Sequence, residues 1–309
     1  MADSVRFALD TAITGSDYDD RRRRLTRTGA IGRFRPYLSI PRRLTSAGQG
    51  GSGLGYQHRH TDSCERDAVL VDTFLSVEHS KELVDWLVES GENLIAIYIT
   101  HAHGDHFLGL KLLLDRFPDA RAFATATAVT AMQEQIKPDF VRSFWELRFP
   151  GQVPSEFVLP EVLQGDALSL EGEELHIVHL GHTDTANTTA LHAPSIGLVI
   201  SGDAVYNNTH PYLAECDEKT RGEWLSALEK IEALHPQAVV AGHGVLNPDS
   251  SPRHIQETRR YLQDFNAAVA STSTPLELYE KMLALHPNRV NPGSLWAAAK
   301  AVKPPQALG

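Results

Sequence analysis

One hexapeptide of this chain, His101-Ala102-His103-Gly104-Asp105-His106, places three histidines and an aspartate within six residues. It follows an apolar run, Leu94 to Ile99, that is short and rich in β-branched residues and therefore predicts a buried strand. Segment 107–114, which comes next, has the length and composition of a helix. On a loop between a strand and a helix, side chains can converge, and imidazole and carboxylate groups are metal ligands. Four such groups exceed what one catalytic zinc with an open position needs, so the spacing suggests two metals.

The charge of the chain is unevenly distributed. Its 309 residues carry a net charge of −10, yet residues 1–60 hold eleven arginines, no lysine and five aspartates, a net charge of +6. The acidic remainder argues against a nucleic-acid partner, because such binding depends largely on neutralised phosphates. The arginine-rich start is interpreted as a solvated leader, with an arm for nucleic acid or an anionic surface as the alternative.

The composition gives no sign of a membrane partner. No run approaches the roughly 18 apolar residues of a membrane span, and no apolar segment follows the first charges as in a secretory signal. The two cysteines, Cys64 and Cys216, lie outside any ligand-like cluster and are expected to be free thiols in a reducing cytoplasm. We therefore expect neither a membrane nor a nucleic acid as a partner. The oligomeric state stays open.

Three parts of the chain differ in sequence pattern. Residues 1–66 are rich in arginine and glycine and show weak periodicity, which predicts a poorly patterned N-terminal segment. Residues 67–250 intersperse strands with helices and predict a catalytic domain of sheets covered by helices, on which the helices of residues 251–309 are expected to pack. Within residues 138–165, aromatic residues lie among prolines. Two interpretations of that segment stay open: a lid over an apolar substrate, or ordinary packing.

Three further ligand candidates follow predicted strands, and a glycine precedes each one. Glycine at such a place permits a tight turn and a close approach of the backbone. Strand ends gathered at one edge of a sheet bring distant residues together on a rigid base. The candidates are His182 after Gly181, Asp203 after Gly202 and His243 after Gly242.

In order and spacing, these four motifs resemble those of the metallo-β-lactamase superfamily over about residues 67–250. The resemblance implies an α+β fold, a four-layer αβ/βα sandwich, with two metal ions at the edge of its sheets. The implied ions are two Zn²⁺, with Fe or Mn as alternatives. The implied ligands are His101, His103 and His182 for the first metal, Asp105, His106 and His243 for the second, and Asp203 as a bridge between them.

The resemblance also implies an activity. The bridging Asp203 is unlike the true β-lactamases of this superfamily, whereas the complete ligand set looks like that of glyoxalase II and the acyl-homoserine lactone lactonases. It implies a hydrolase that acts on a small-molecule substrate and uses a metal-bridging hydroxide to cleave an ester, lactone or thioester. The alternatives are an iron-dependent dioxygenase of the same fold, a phosphodiesterase, or a metal-stabilised binding protein.

Neighbours of the ligands are expected to support them. Asp105 is predicted to orient the hydroxide in addition to binding metal. Tyr206 is predicted either to donate to a developing oxyanion or to lie in a polar turn. Asp72, Thr183 and Asp184 are expected to orient ligating imidazoles through hydrogen bonds.

Overall fold

Two five-stranded sheets form the centre of the fold. The computed structural model describes residues 37–39, 67–245 and 249–304, so the predicted segment 1–66 lies outside the described residues except for one strand. The first sheet consists, in order across it, of Tyr37–Ser39 (β1), Asp67–Val71 (β2), Asn93–Tyr98 (β3), Arg121–Ala124 (β4) and Glu161–Val162 (β5). β1 is antiparallel to β2, and the other neighbouring strands are parallel.

The second sheet is mostly antiparallel. The remaining strands are Ala167–Leu170 (β6), Glu173–Gly181 (β7), Thr188–Ala193 (β8), Leu198–Ile200 (β9), Tyr206–Asn207 (β10), Ala238–Val240 (β11) and His243–Gly244 (β12). The order across the second sheet is β11-β9-β8-β7-β6, and β10 pairs separately with β12. β8 is antiparallel to both β7 and β9, and β11 is parallel to β9. The strands β7, β9 and β11 therefore all end at the same edge of the sheet.

Helices lie on the outer side of each sheet. With the first sheet are Val77–Ser90 (α1), Gly104–Phe107 (α2), Leu110–Arg116 (α3), Ala126–Gln135 (α4) and Pro138–Phe140 (α5), followed by a π-helix at Val141–Glu146. With the second sheet are Glu218–Glu232 (α6), Arg253–Ala270 (α7), Pro275–Leu285 (α8) and Pro292–Val302 (α9). Short 3₁₀ turns lie at Pro194–Ile196 and Gly202–Ala204. Among the described residues, no helix has both the length and the apolar character needed to cross a membrane.

Local sequence signals set the ends of these helices. The Ser76 hydroxyl caps α1 by accepting a hydrogen bond from the backbone N–H of His79 at 3.2 Å. Gly91 ends α1 with a φ of +69°, a left-handed conformation that glycine adopts without steric cost. A reciprocal capping box between Asp217 and Thr220 begins α6.

Three buried cores separate four structural layers. The first packs α1 and α3 against the first sheet and contains Leu87 and Ile97. The second lies between the two sheets and contains Tyr98 and Leu191. The third packs α6 to α9 against the second sheet and contains Trp224. This arrangement confirms the four-layer αβ/βα sandwich of the α+β class that the sequence predicts.

The predicted helix over residues 107–114 is interrupted in the structure. α2 and α3 are separated at Leu108 and Gly109. Gly109 packs directly on α1, where an added Cβ would meet the hydroxyl of Ser80 and lie 2.8 Å from the carbonyl oxygen of Phe74. The close approach of two helices depends on a tertiary contact, which the composition of the segment does not reveal.

Candidate metal centre

Four loops meet at one edge of the sandwich, and they follow β3, β7, β9 and β11. Their ligand-type side chains form groups in which the ligand atoms lie within 4.8 Å of one another. The first group is His101, His103, Asp184 and Asp203, and the second is Asp105, His106 and His243. A third group, Asp72, His101 and His106, shares its two histidines with the other groups. The structure therefore brings together six of the seven predicted ligands, with Asp184 in the place predicted for His182.

Hydrogen bonds orient two imidazoles of the first loop. Asp72, at the end of β2, accepts from the N–H and the hydroxyl of Thr100, both at 2.8 Å, and from Nδ1 of His106 at 2.9 Å. Because the Thr100 hydroxyl donates its proton to Asp72, it accepts one from Nδ1 of His101 at 2.9 Å. In its neutral form each ring therefore presents an unprotonated Nε2 to the centre.

His103 presents its other nitrogen. Its Nε2 donates to Oε1 of Glu215 at 3.1 Å, and Glu215 also accepts from the Thr185 hydroxyl at 2.7 Å. Nδ1 of His103 is thereby left facing Oδ2 of Asp184 at 2.7 Å. The partly buried ring of Tyr212 packs edge-on against His103, with ring centroids 5.5 Å apart.

His182 lies apart from both groups. It is partly buried, its Nε2 is 3.9 Å from Sγ of Cys216, and it belongs to no ligand group in the described part of the chain. Asp184 is fully buried instead: its Oδ1 accepts from the Thr183 hydroxyl at 2.8 Å, and its Oδ2 is 3.5 Å from Nε2 of His101. The pairing of β7 with β8 shifts register just before this loop. Such a bulge changes which following side chains point inward.

Asp203 lies between the two groups. Its Oδ1 is 3.2 Å from Nε2 of His106, and its Oδ2 is 3.2 Å from Nε2 of His243. Oδ2 also accepts from the hydroxyl of Tyr206 at 2.6 Å. Gly242 leaves room for this carboxylate, because an added Cβ would collide with Oδ1 of Asp203. Asp203 thus has the position that a bridging ligand needs.

The donor atoms of the centre fit divalent metal ions. Four of them are buried and make no hydrogen bond of good geometry with the residues that the structure describes, although ion-pair contacts join them to one another or to His103: Nε2 of His101, Nε2 of His106, Oδ2 of Asp184 and Oδ1 of Asp203. Buried polar atoms are nearly always paired, so a close set of unpaired ones indicates a ligand that they hold. Together the two groups offer four imidazoles and three carboxylates, a donor set suited to Zn, Fe or Mn.

The carboxylates of the centre attract positive charge. Burial alone would lower the pKa of His243, but Asp203 and Asp105 outweigh it and raise that pKa to about 10. Burial alone would raise the pKa of Asp203, but His243 and His106 hold it well below its usual value. Divalent ions would neutralise the charge of the same carboxylates, and the imidazoles that bind such ions would then be unprotonated at the ligating nitrogen.

The described centre can be compared with known proteins. Residues 65–243, more than half of the chain, match the model of the Metallo-beta-lactamase superfamily. The chain belongs to this superfamily. A hydroxyacylglutathione hydrolase of Prochlorococcus marinus (strain MIT 9312) is 24% identical over 177 residues, 57% of this chain and 59% of that protein. The chain thus matches less than two thirds of the length of this curated relative.

Solved structures of the superfamily share the fold. A metallo-beta-lactamase family protein of Thermus thermophilus has a TM-score of 0.55 at 22% identity, covering 76% of this chain and 83% of that chain. A beta-lactamase domain protein of Burkholderia ambifaria has a TM-score of 0.56 at 19% identity, covering 76% of each chain. These two similarities confirm the metallo-β-lactamase fold expected from the four motifs.

In this member of the superfamily, a cavity of about 130 Å³ opens beside the second ligand group. Asp105 and His243 contribute to its lining, as do Trp145 and Phe149 from segment 138–165. Aromatic side chains of the segment also pack in the first core. The segment therefore combines ordinary packing with a wall of the cavity, and closure as a lid stays a prediction.

Sequence reasoning missed the place of Asp184 in the first ligand group and the contacts of Glu215 and Tyr212 with His103. The position of Asp184, two residues after His182 in the same loop, could have indicated it as a ligand candidate. No local sequence pattern indicates the contacts of Glu215 or Tyr212. Burial, with a contribution from Glu215, raises the pKa of Tyr212 to about 12. Its phenol therefore stays protonated and able to donate a hydrogen bond next to His103.

Tyr206→Phe is expected to weaken metal binding by roughly 10–100-fold, the usual effect of losing an outer hydrogen bond to a ligand. The Tyr206 hydroxyl contacts Asp203, so the structure gives this predicted catalytic residue a positioning role. Burial and the Asp203 charge raise its pKa well above the usual value, which keeps it a donor. Metal titration measures the effect, with Tyr212→Phe as the control that retains affinity. Wild-type affinity in Tyr206→Phe would contradict the positioning role.

Proposed function

We propose that this chain is a binuclear metallohydrolase that cleaves an ester, lactone or thioester bond of a small molecule. The observation that carries the proposal is the pair of ligand groups on either side of Asp203. Two ions that share one carboxylate are a recurring arrangement in hydrolytic enzymes. Most members of the superfamily are hydrolytic, and the Prochlorococcus relative is named as a hydrolase of an acyl compound.

The positions of the side chains indicate which of them would hold the ions and which would contact the substrate. His101, His103 and Asp184 would hold one ion, Asp105, His106 and His243 the other, and Asp203 both. Bound Zn²⁺, Fe or Mn ions would supply a deprotonated water at neutral pH and polarise a carbonyl oxygen. Asp105, with 31% of its side chain exposed, faces the open side and is proposed to orient the attacking water. Trp145 and Phe149 would contact an apolar part of the substrate.

One observation favours a second candidate, iron-dependent oxygenation. His101, His103 and Asp184 are two histidines and one carboxylate, the ligand set of many non-haem Fe(II) oxygenases. Such enzymes use one iron with open positions, whereas this centre offers a second complete group next to the first. The second group therefore makes hydrolysis the preferred proposal.

The test is a substrate panel on purified, metal-quantified protein, with esters, lactones, thioesters and phosphodiesters assayed by mass spectrometry of the products. We expect water to be added across a carboxylic acid derivative and the phosphodiesters to remain intact. Iron-loaded protein assayed under oxygen, with oxygen consumption as the readout, examines the second candidate. Cleavage of phosphodiesters alone, or oxygen consumption without hydrolysis, would overturn the proposal.

A further inference from the structure

A second cavity, of about 460 Å³, lies between β10, the start of α7 and the loop that joins α8 to α9. Its lining residues include Asn207 of β10, Arg253 of α7 and Arg289 of the loop. It shares no lining residue with the cavity beside the metal centre, and none of the candidate metal ligands contributes to its wall. Its volume lies within the range of small-molecule sites, so it can hold a ligand of its own.

The acidic side chains of this cavity already have partners within the protein. Asp249 accepts from the guanidinium of Arg253 at 2.6 Å, and its other carboxylate oxygen lies 2.6 Å from Nε2 of His254. Glu257 accepts from Nε of Arg253 at 3.2 Å, and its other oxygen lies 2.7 Å from Nδ1 of His254. Arg253 and His254 therefore satisfy both carboxylates without a ligand.

Arg289, in contrast, forms no ion pair with a carboxylate in the described part of the chain. Its guanidinium donates to two backbone carbonyl oxygens, of Thr209 at 2.6 Å and of Glu257 at 3.1 Å. Its Cζ lies 4.8 Å from the centre of the Tyr261 ring. Burial lowers the pKa of Arg289, and attraction from Tyr261 and Glu257 offsets this effect only in part. Because a guanidinium stays charged in proteins, the wall of the cavity holds a largely buried cation that lacks a paired anion.

Hydrogen bonds hold the loop that carries Arg289 against the residues after β10. The N–H of Val290 donates to the carbonyl oxygen of Asn208 at 3.0 Å, and the N–H of His210 donates to that of Val290 at 2.9 Å. The side-chain amide of Asn208 also donates to the carbonyl oxygen of Asn288 at 3.2 Å. A guanidinium on a loop held in this way loses little conformational freedom when it binds an anion, which favours binding.

We propose that this cavity binds a small, singly charged carboxylate, whose oxygens accept hydrogen bonds from Arg289. The N–H groups that the two carbonyls do not use remain for a ligand, and guanidinium groups bind carboxylates and phosphates through pairs of such bonds. Asp249 and Glu257 in the same wall would repel a dianion more strongly than a monoanion, which favours a carboxylate over a phosphate. The amides of Asn207 and Asn208 offer polar groups to hydroxyls of the ligand. The site is separate from the metal centre, so this inference is independent of the proposed function.

Titration calorimetry of the full chain with lactate and with gluconate measures this binding, and glucose and inorganic phosphate are the neutral and the multiply charged comparison compounds. We expect at least one of the two monocarboxylates to bind wild type, and more tightly than either comparison compound. Arg289→Gln is expected to weaken that binding by about tenfold or more, the usual effect of losing a hydrogen bond to a charged group. Arg260→Gln is the matched control, because Arg260 is an exposed arginine of α7 outside the cavity. It is expected to bind like wild type.

Two further variants keep the test decisive. Carboxylates also bind metal ions, so Asp203→Asn, which alters the metal centre, is expected to retain the carboxylate binding at this cavity. Should Arg289→Gln fail to fold, Asn288→Asp adds a negative charge at an exposed position of the wall and is expected to weaken binding several-fold.

The inference is overturned if neither monocarboxylate binds, if glucose or phosphate binds more tightly, or if Asp203→Asn abolishes the binding. Wild-type affinity in Arg289→Gln, or in Asn288→Asp where that variant decides, overturns it as well. Because calorimetry of lactate or gluconate does not depend on turnover, Arg289-dependent binding without hydrolysis of any panel substrate would refute the proposed function and leave this site standing.

Discussion

Asp203→Asn is expected to remove at least one bound ion and to lower hydrolysis by more than the roughly 100-fold that loss of an outer partner costs. Its two carboxylate oxygens each lie 3.2 Å from a ligand nitrogen, of His106 on one side and His243 on the other. An amide keeps the shape of the side chain but loses the charge that both positions share. Both ions are therefore weakened by one substitution, an effect that no ligand of a single position produces.

Elemental analysis and hydrolysis of the best panel substrate measure this loss together. Asp166→Asn is the matched control, because Asp166 is an exposed carboxylate that also pairs with a histidine, at 2.8 Å from Nε2 of His179. The control is expected to retain both ions and full activity. Unchanged metal content and unchanged hydrolysis in Asp203→Asn would end the assignment of a bridging ligand.

Trp224→Ala is expected to lower the free energy of unfolding by about 3–5 kcal/mol, the usual effect of removing a buried aromatic side chain. Trp224 is 0% exposed in the third core, and its Nε1 donates to the carbonyl oxygen of Ala204 at 2.9 Å. Ala204 ends the 3₁₀ turn that carries Asp203. Loss of this indole should therefore also loosen the central carboxylate of the metal centre.

Urea unfolding of the metal-free protein separates these effects from ion binding. Trp224→Phe, which refills the core but leaves the carbonyl unpaired, is expected to cost an intermediate amount of about 1–3 kcal/mol. Trp296→Ala is the control, because Trp296 is 37% exposed and packs edge-on against Tyr279, a pair worth roughly 1 kcal/mol. Equal losses for Trp224→Ala and Trp296→Ala would contradict the structural role of the buried indole.

Periodicity predicted strands interspersed with helices, and the resemblance carried by the order of the four motifs implied the four layers and the seven candidate ligands, six of which the structure brings together. The apolar run before His101 forms a strand that is largely buried on both faces. A nearly continuous apolar run is typical of such a strand, so the amino-acid composition of the segment was enough to predict it. The candidate ligands in the loops that follow β3, β9 and β11 begin at His101, Asp203 and His243, each three residues after a strand end. The position of a residue just after a strand depends on where that strand ends, and the sequence pattern predicts where the strand ends.

The departures arise from contacts that join distant parts of the chain. Asp184 lies in the loop that follows a register shift between β7 and β8, and the residues of one strand do not specify the register of its pairing. Tyr206 lies in the core, where its strand β10 pairs with β12. The backbone N–H of Tyr206 also donates to the hydroxyl of Thr258 on α7 at 3.0 Å. Glu215 reaches His103 across 112 positions of sequence.

Each ligand group takes side chains from both halves of the sandwich. The hexapeptide follows the first sheet, while Asp184, Asp203 and His243 follow the second. An ion in either position is therefore a cross-link between the halves, one that the unfolded chain cannot form. By mass action, free metal at about 100 times its dissociation constant would add roughly 2.7 kcal/mol to the stability of the closed sandwich. We therefore expect the folded fraction of this chain to rise with the concentration of free metal, independently of any reaction that it performs.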